Sequence, residues 1–138
     1  MSCKAAIVDT SVWIDYFRAS GAPEEQYLRD MIAGDTPVYL TPTILQEILQ
    51  GIDTDADYAK TRTILDSYSM LSFDPVQAAE GAAELYREAR KKGVTVRRSL
   101  DSLIAWYAIQ AELPVLHRDR DFDELARVSA LQIVEVTT

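Results

Sequence analysis

The sequence predicts an α/β protein built on a mostly parallel sheet, and three observations lead there. Short apolar runs of strand length alternate along the chain with longer segments of helical period. The run Ala5-Ala6-Ile7-Val8 stops abruptly on Asp9, and an apolar-periodic segment begins directly after Thr10 and Ser11. Near the other end Val115-Leu116 gives way in the same manner to His117-Arg118-Asp119-Arg120-Asp121. A buried strand running into a helix has this pattern, and open α/β sheets bind ligands beyond the carboxyl ends of their strands. Asp9 is therefore expected to found an acidic, metal-holding site.

The elements follow in order. Ser11 to about Arg18 reads as a short helix broken by Gly21, and Pro23 opens a second one reaching Ile32 and closed by Gly34. Pro37 to Leu40 is a short strand. Thr41 and Pro42 are the N-cap and first residue of a helix over 43–50, with Gly51 as its stop. Residues 54 to about 68 form a polar, solvated helix, and Met70 to Phe73 a brief strand. Asp74-Pro75-Val76-Gln77 has the form of a capping box and opens a long helix to Lys92, ended by Gly93. Its late positive charges suit the negative end of the helix dipole. Ser99 starts a helix to about Glu112; Pro114 to His117 is a strand, Phe122 to Val128 a helix, and Leu131 to Val136 a last strand. That makes about five strands.

With 138 residues, the chain is expected to be one domain, residues 1–138. The single cysteine, Cys3, forms no intrachain disulfide, which fits a reducing compartment. The opening Met1-Ser2-Cys3-Lys4 is followed by too short an apolar run for a signal peptide, and nothing approaches the ~18 apolar residues of a membrane span. A soluble, cytoplasmic protein with no membrane association is expected. The net charge of −8 argues against a nucleic-acid partner. Its distribution argues the other way. Arg87, Arg90, Lys91, Lys92, Arg97 and Arg98 place six of the 14 positive charges within twelve residues, opposed only by Glu88, and Arg118 and Arg120 add a pair. A local basic rim is physically sufficient to hold a phosphate backbone.

Three further places offer carboxylates. The helix from Ser99 carries no charge between Ser102 and Ala111, as a buried helix does, yet Asp101 stands in its first turn. At about 100° per residue, Ala105 and Ala108 share its face and leave room for something to reach it. The plainer reading is that Asp101 assists capping beside Ser99. In the helix from Thr43, Ile44, Leu45, Ile48 and Leu49 form the buried stripe, and Glu47 stands on its border, where a glutamate usually meets solvent. Asp119 and Asp121 follow a strand as Asp9 does, although either could simply cap the next helix.

Taken in series, IVDTSVWID, TPTILQEILQG, SLDSLIAWYA and LHRDRDF resemble a PIN domain, and more narrowly the VapC toxins of bacterial toxin–antitoxin pairs. Each motif is weak alone; four in the right order over nearly the whole chain are specific. The resemblance implies a three-layer fold with a central sheet of about five strands between helices, and a metal-dependent endoribonuclease leaving 5′-phosphate and 3′-hydroxyl ends on structured RNA such as tRNA or ribosomal RNA. It carries the acidic set onto Asp9, Glu47, Asp101 and Asp119, with Asp121 as fifth member or substitute for Asp119. It also places a supporting hydroxyl at Thr10 or Ser11. Family members often have threonine where this chain has His117. A VapB-type antitoxin, a homodimer and larger assemblies of the two proteins are implied as well.

The chemistry is consistent without the name. Two like charges ~4 Å apart repel by about 1 kcal/mol in water and about 4 kcal/mol at an effective dielectric of 20, so converging carboxylates require a cation or protons. Mg²⁺ or Mn²⁺ suits oxygen ligands. Asp9 and Asp101 are expected to be the principal ligands, with Glu47 and Asp119 binding directly or through water. Arg97 and Arg98, with Arg118 and Arg120, are expected to meet RNA phosphates. A lone His117 cannot readily serve as both general acid and general base, so metal-free ribonuclease chemistry is disfavoured. Asp53, Asp55 and Asp57 suggest a calcium loop, but Tyr58 and Ile64 occupy its sixth and twelfth positions. Trp13, Trp106 and Tyr107 are expected to be core or dimer contacts, being at helical spacing on apolar faces, with base stacking as the alternative.

The nearest rival is a flap-like nuclease acting in RNA maturation or on DNA without an antitoxin. A phosphate-accepting receiver domain would want an acidic pair after the first strand and a late lysine; this chain has a lone Asp9, and Arg118 and Arg120 hold the late position. A haloacid-dehalogenase-type phosphatase needs Asp-x-Asp where Asp9-Thr10-Ser11 stands.

Overall fold

The computed structural model describes residues 3–137, so Met1 and Ser2 of the expected leaderless start lie outside it. The elements are β1 (Ala6–Val8), α1 (Thr10–Arg18), α2 (Pro23–Ala33), β2 (Val38–Leu40), α3 (Pro42–Gln50), α4 (Asp55–Leu65), β3 (Ser69–Met70), α5 (Pro75–Lys91), α6 (Ser99–Ala111), β4 (Val115–Leu116) and α7 (Arg120–Val128). The four strands form one parallel sheet in the order β3-β2-β1-β4.

Local chemistry sets the helix starts. Thr41 caps α3 by accepting from the Ile44 amide at 3.2 Å, ahead of Pro42. Asp74 caps α5 by accepting from the Gln77 amide at 2.8 Å. Gly93 follows α5 with φ +89°, a left-handed conformation that favours glycine.

All three residues of β1 are fully buried, as a strand covered on both faces requires. Trp13, Leu28, Ile104 and Phe122 pack around it in one continuous core, each contributing about 1.5–3 kcal/mol through burial. Trp106 and Tyr107 are buried too, edge-on to Phe73 with ring centroids 5.3 and 5.0 Å away, so the core reading of these rings holds.

The expected fifth strand is reduced to a single parallel bridge, Val115 to Ile133. Two backbone hydrogen bonds support it, Val115 N–H to Gln132 O and Val134 N–H to Val115 O. With β4 only two residues long, there is no further edge for residues 131–136 to pair with. β3 starts one residue before the expected strand and ends at Met70.

The strand order reverses direction at β1. The chain moves outward from β1 to β2 and β3, then returns past β1 to place β4 on its other side. The right-handed rule for parallel crossovers predicts α1–α4 and α5–α6 on opposite faces of the sheet, and α1 accordingly packs on α2 and α3, α3 on α4, and α5 on α6. The split between β2 and β4 opens a crevice at the carboxyl end of β1, the usual ligand position in such sheets. Asp9 stands there, its amide donating to Leu116 O at 2.9 Å.

Candidate active site

Five carboxylates from four segments surround this crevice. Asp9 is the N-cap of α1, and the cap occupies only one of its oxygens: Oδ2 accepts from the Ser11 amide at 3.2 Å and the Ser11 hydroxyl at 2.7 Å. Oδ1 is buried without a partner among the described residues. The Ser11 hydroxyl also accepts from the Arg118 amide at 3.2 Å, tying the turn after β4 to the start of α1. On α3, Glu47 Oε1 accepts from the Thr10 hydroxyl at 2.9 Å. Thr10 and Ser11 therefore both bear on the acids, one holding Glu47 and the other Asp9.

Asp101 lies in the first turn of α6 and is fully buried, and neither of its oxygens has a hydrogen-bond donor among the described residues. Its carboxyl does not cap the helix. Asp119 is the N-cap of α7, with Oδ1 accepting from the Asp121 amide at 2.9 Å. Carboxylate oxygens of Asp101, Asp119 and Asp121 all lie within 4.8 Å of one another.

Protonation follows from this crowding. Burial, chiefly, and then the neighbouring Asp9 charge push the Asp101 carboxyl up to about 8, with Arg98 opposing them and Asp119 adding to the rise. With no donor to accept from, Asp101 is best served by its own proton, which it can donate to Asp119. For Asp119, burial alone would raise the pKa. The Asp121 amide, the proton from Asp101 and the charges of Arg97 and Arg98 outweigh it and hold this carboxyl below its ordinary value.

Two arginines face the group. Arg97 donates from its main-chain N–H to Asp121 Oδ2 at 3.0 Å, from Nε to Asp121 Oδ1 at 3.2 Å, and from Nη2 to Asp119 Oδ1 at 3.3 Å. Arg98 donates to Glu47 Oε2, and its Nη1 lies 3.9 Å from Asp101 Oδ1.

The other expected phosphate contacts differ. The Arg118 guanidinium binds Asp15 and, at 3.5 Å, Glu24, so it braces α1 and α2 against the turn after β4. Arg120 is exposed and makes no ion pair among the described residues. His117 packs on Phe122 with ring centroids 5.1 Å apart, and its Nδ1 accepts from the Asp119 amide at 3.0 Å. It thereby helps aim the acid that follows it.

Asp101, Asp119 and Asp121 thus form the tight group, Glu47 is linked to Asp101 through Arg98, and Asp9 is near enough for its charge to raise the Asp101 carboxyl. Sequence reasoning missed the pairing of Arg98 with Glu47 and Asp101. Its only local signal was an arginine three residues before Asp101, the spacing at which side chains meet on a helix. The donor set is all oxygen, and three buried oxygens, Asp9 Oδ1 and both of Asp101, lack any partner among the described residues. Such a set suits a hard divalent cation.

Comparison with known proteins agrees with this geometry. Residues 6–128 match the PIN domain family. The chain is 35% identical over 127 residues to the VapC ribonuclease Mb1587 of Mycobacterium bovis and to ribonuclease VapC11 of Mycobacterium tuberculosis, covering 91% of this chain and 95% of each relative. The fold is shared with VapBC2 from Rickettsia felis bound to a DNA fragment from its promoter, at TM-score 0.74 and 16% identity, over 96% of this chain and 99% of that one. DNA-bound VapBC from Salmonella typhimurium gives a TM-score of 0.69 at 18% identity, over 95% of this chain and 97% of that one. The chain belongs to the PIN domain family and, within it, to the VapC ribonucleases.

Proposed function

We propose that this chain is a metal-dependent endoribonuclease, the toxin of a type II toxin–antitoxin pair, hydrolysing phosphodiester bonds of structured RNA in the cytoplasm. The observation that carries the reading is the set of buried, unpartnered oxygens on Asp9 and Asp101 beside Glu47 and Asp119. Asp9 and Asp101 would hold Mg²⁺ or Mn²⁺ most directly. Glu47 and Asp119 would complete the site, with Asp121 as fifth member or in place of Asp119. A divalent ion, when bound, supplies an activated water and stabilises charge on the phosphate and the leaving oxygen.

The chain's own residues do the positioning. Thr10 and Ser11 orient Glu47 and Asp9, while Arg97 fixes Asp119 and Asp121. The naming of the relatives as ribonucleases supports RNA as the substrate. Neighbours solved as VapBC and toxin–antitoxin complexes support a VapB-type antitoxin partner, and the homodimer rests on the family resemblance alone. No helix among the described residues is long and apolar enough to cross a membrane.

The test is cleavage of labelled RNA and DNA by the purified protein with Mg²⁺, with Mn²⁺ or with chelator. RNA should be cut only with metal, and Asp9→Asn and Asp101→Asn should abolish cutting. Asparagine caps a helix as well as aspartate does, so Asp9→Asn keeps α1 capped and its circular dichroism should match the wild type. Full metal-dependent activity in either variant defeats the assignment, and cleavage of DNA alone moves the chain to the flap-like reading.

A further inference from the structure

Arg97 and Arg98 are adjacent in sequence but are held in different ways. Arg97 is clipped by its main chain and guanidinium together to Asp119 and Asp121, on the α7 side of the acids. Arg98 reaches across the other side, to Glu47 on α3 and Asp101 on α6. It is the N-cap residue of α6 but its side chain makes no capping hydrogen bond, and that side chain is 45% exposed. Its charge falls on acids whose deepest oxygens it does not satisfy, since Asp9 Oδ1 and both Asp101 oxygens remain without donors. A half-exposed ion pair is weak and exchanges readily; the Arg97 side chain is 59% exposed as well, but its main-chain N–H also holds Asp121, an anchor that Arg98 lacks. A small divalent cation serves buried oxygens better than a planar guanidinium, and two cations on the same carboxylates repel each other.

We propose that Arg98 is an exchangeable counter-cation. It lies across Glu47 and Asp101 in the metal-free protein and gives up that place when a divalent cation binds, turning its guanidinium toward the groove where a substrate phosphate enters. Arg97 stays in place, so the two arginines divide the work of clip and latch. This rests on the metal-dependent reading above.

Titration calorimetry with Mn²⁺ on the full-length protein tests it, comparing wild type with Arg98→Gln and with Arg120→Gln, which removes an equal charge from an exposed position. Arg98→Gln should bind Mn²⁺ about two- to fivefold more tightly, the range a weak competing ion pair accounts for, and Arg120→Gln should change less. Equal or weaker binding by Arg98→Gln, or the same gain in Arg120→Gln, overturns the exchange while leaving a metal-binding wild type intact. A wild type that binds no Mn²⁺ overturns both this proposal and the metal-dependent reading. A second measurement needs no variant: phenylglyoxal labels accessible arginines, and mass spectrometry maps the sites. Mn²⁺ should speed labelling of Arg98 and leave Arg97 unchanged; an unchanged rate at Arg98 overturns the exchange.

Discussion

Asp101 sits at the positive end of a helix dipole, which favours its charge by at most about 2 kcal/mol in a partly buried setting. Burial and the neighbouring Asp9 act against that charge and prevail, taking the carboxyl from 3.8 to about 8. The unfolded chain ionises this group near 3.8, so between about pH 4 and pH 8 the folded state carries the extra proton. A group of this kind lends most stability at low pH and loses it as pH rises through that window, by up to about 1.4 kcal/mol per pH unit. Urea unfolding of the metal-free protein should therefore show Asp101→Asn gaining on the wild type as pH goes from 5 to 8. An equal difference at both values would mean that the folded protein does not hold this proton. Asp9, Asp101 and Asp119 were legible in the sequence because each follows a strand or opens a helix, where local pattern speaks. Glu47 was legible only through resemblance, since a helix-border glutamate looks solvent-facing. Its pairing with Arg98 spans 51 positions, and no local pattern encodes it.

At the level of elements, the packing of α5 on α6 depends on one small residue. A Cβ at Gly81 would stand 2.0 Å from Trp106 Nε1. The indole is wedged edge-on against Phe73 and Tyr107. Gly81→Ala would gain up to about 1 kcal/mol of helix propensity. Overpacking costs about 1–3 kcal/mol and should outweigh it. Urea unfolding should show net destabilisation, and a stabilised variant would contradict this packing. Helix starts with proline and a capping side chain were readable to the residue, as at Pro42 and Pro75. The start of α7 at Arg120 fell two residues before the expected one, because the capping carboxylate is Asp119. The last strand was overread because alternation in Leu131–Val136 reports a half-buried extended segment but says nothing of how much partner edge is available.

Across the whole molecule, charge is acidic in sum and basic in one sector. Short connections make α5 and α6 antiparallel neighbours, with Gly81 against Trp106 and Asp74 near Gln110. The basic end of α5, with Arg90 and Lys91 exposed, consequently lies toward the acidic end of α6. Repulsion between RNA and a chain of net charge −8 predicts that sector as the route of approach. Arg90→Glu/Lys91→Glu should weaken RNA binding and flatten its dependence on salt by roughly one to two in logarithmic slope, read by fluorescence anisotropy. Mn²⁺ affinity should not change. An unaltered salt slope would place the RNA elsewhere.

Asp9 and Asp119 are helix caps as well as members of the acidic group, and at Asp9 the two duties fall on different oxygens. Asparagine fulfils the first duty and not the second. A single base change turns an aspartate codon into an asparagine codon. At either position the proposed site is therefore one point mutation from losing a carboxylate while the helix keeps a capping side chain, a route by which a lineage could disarm this protein without accumulating misfolded product.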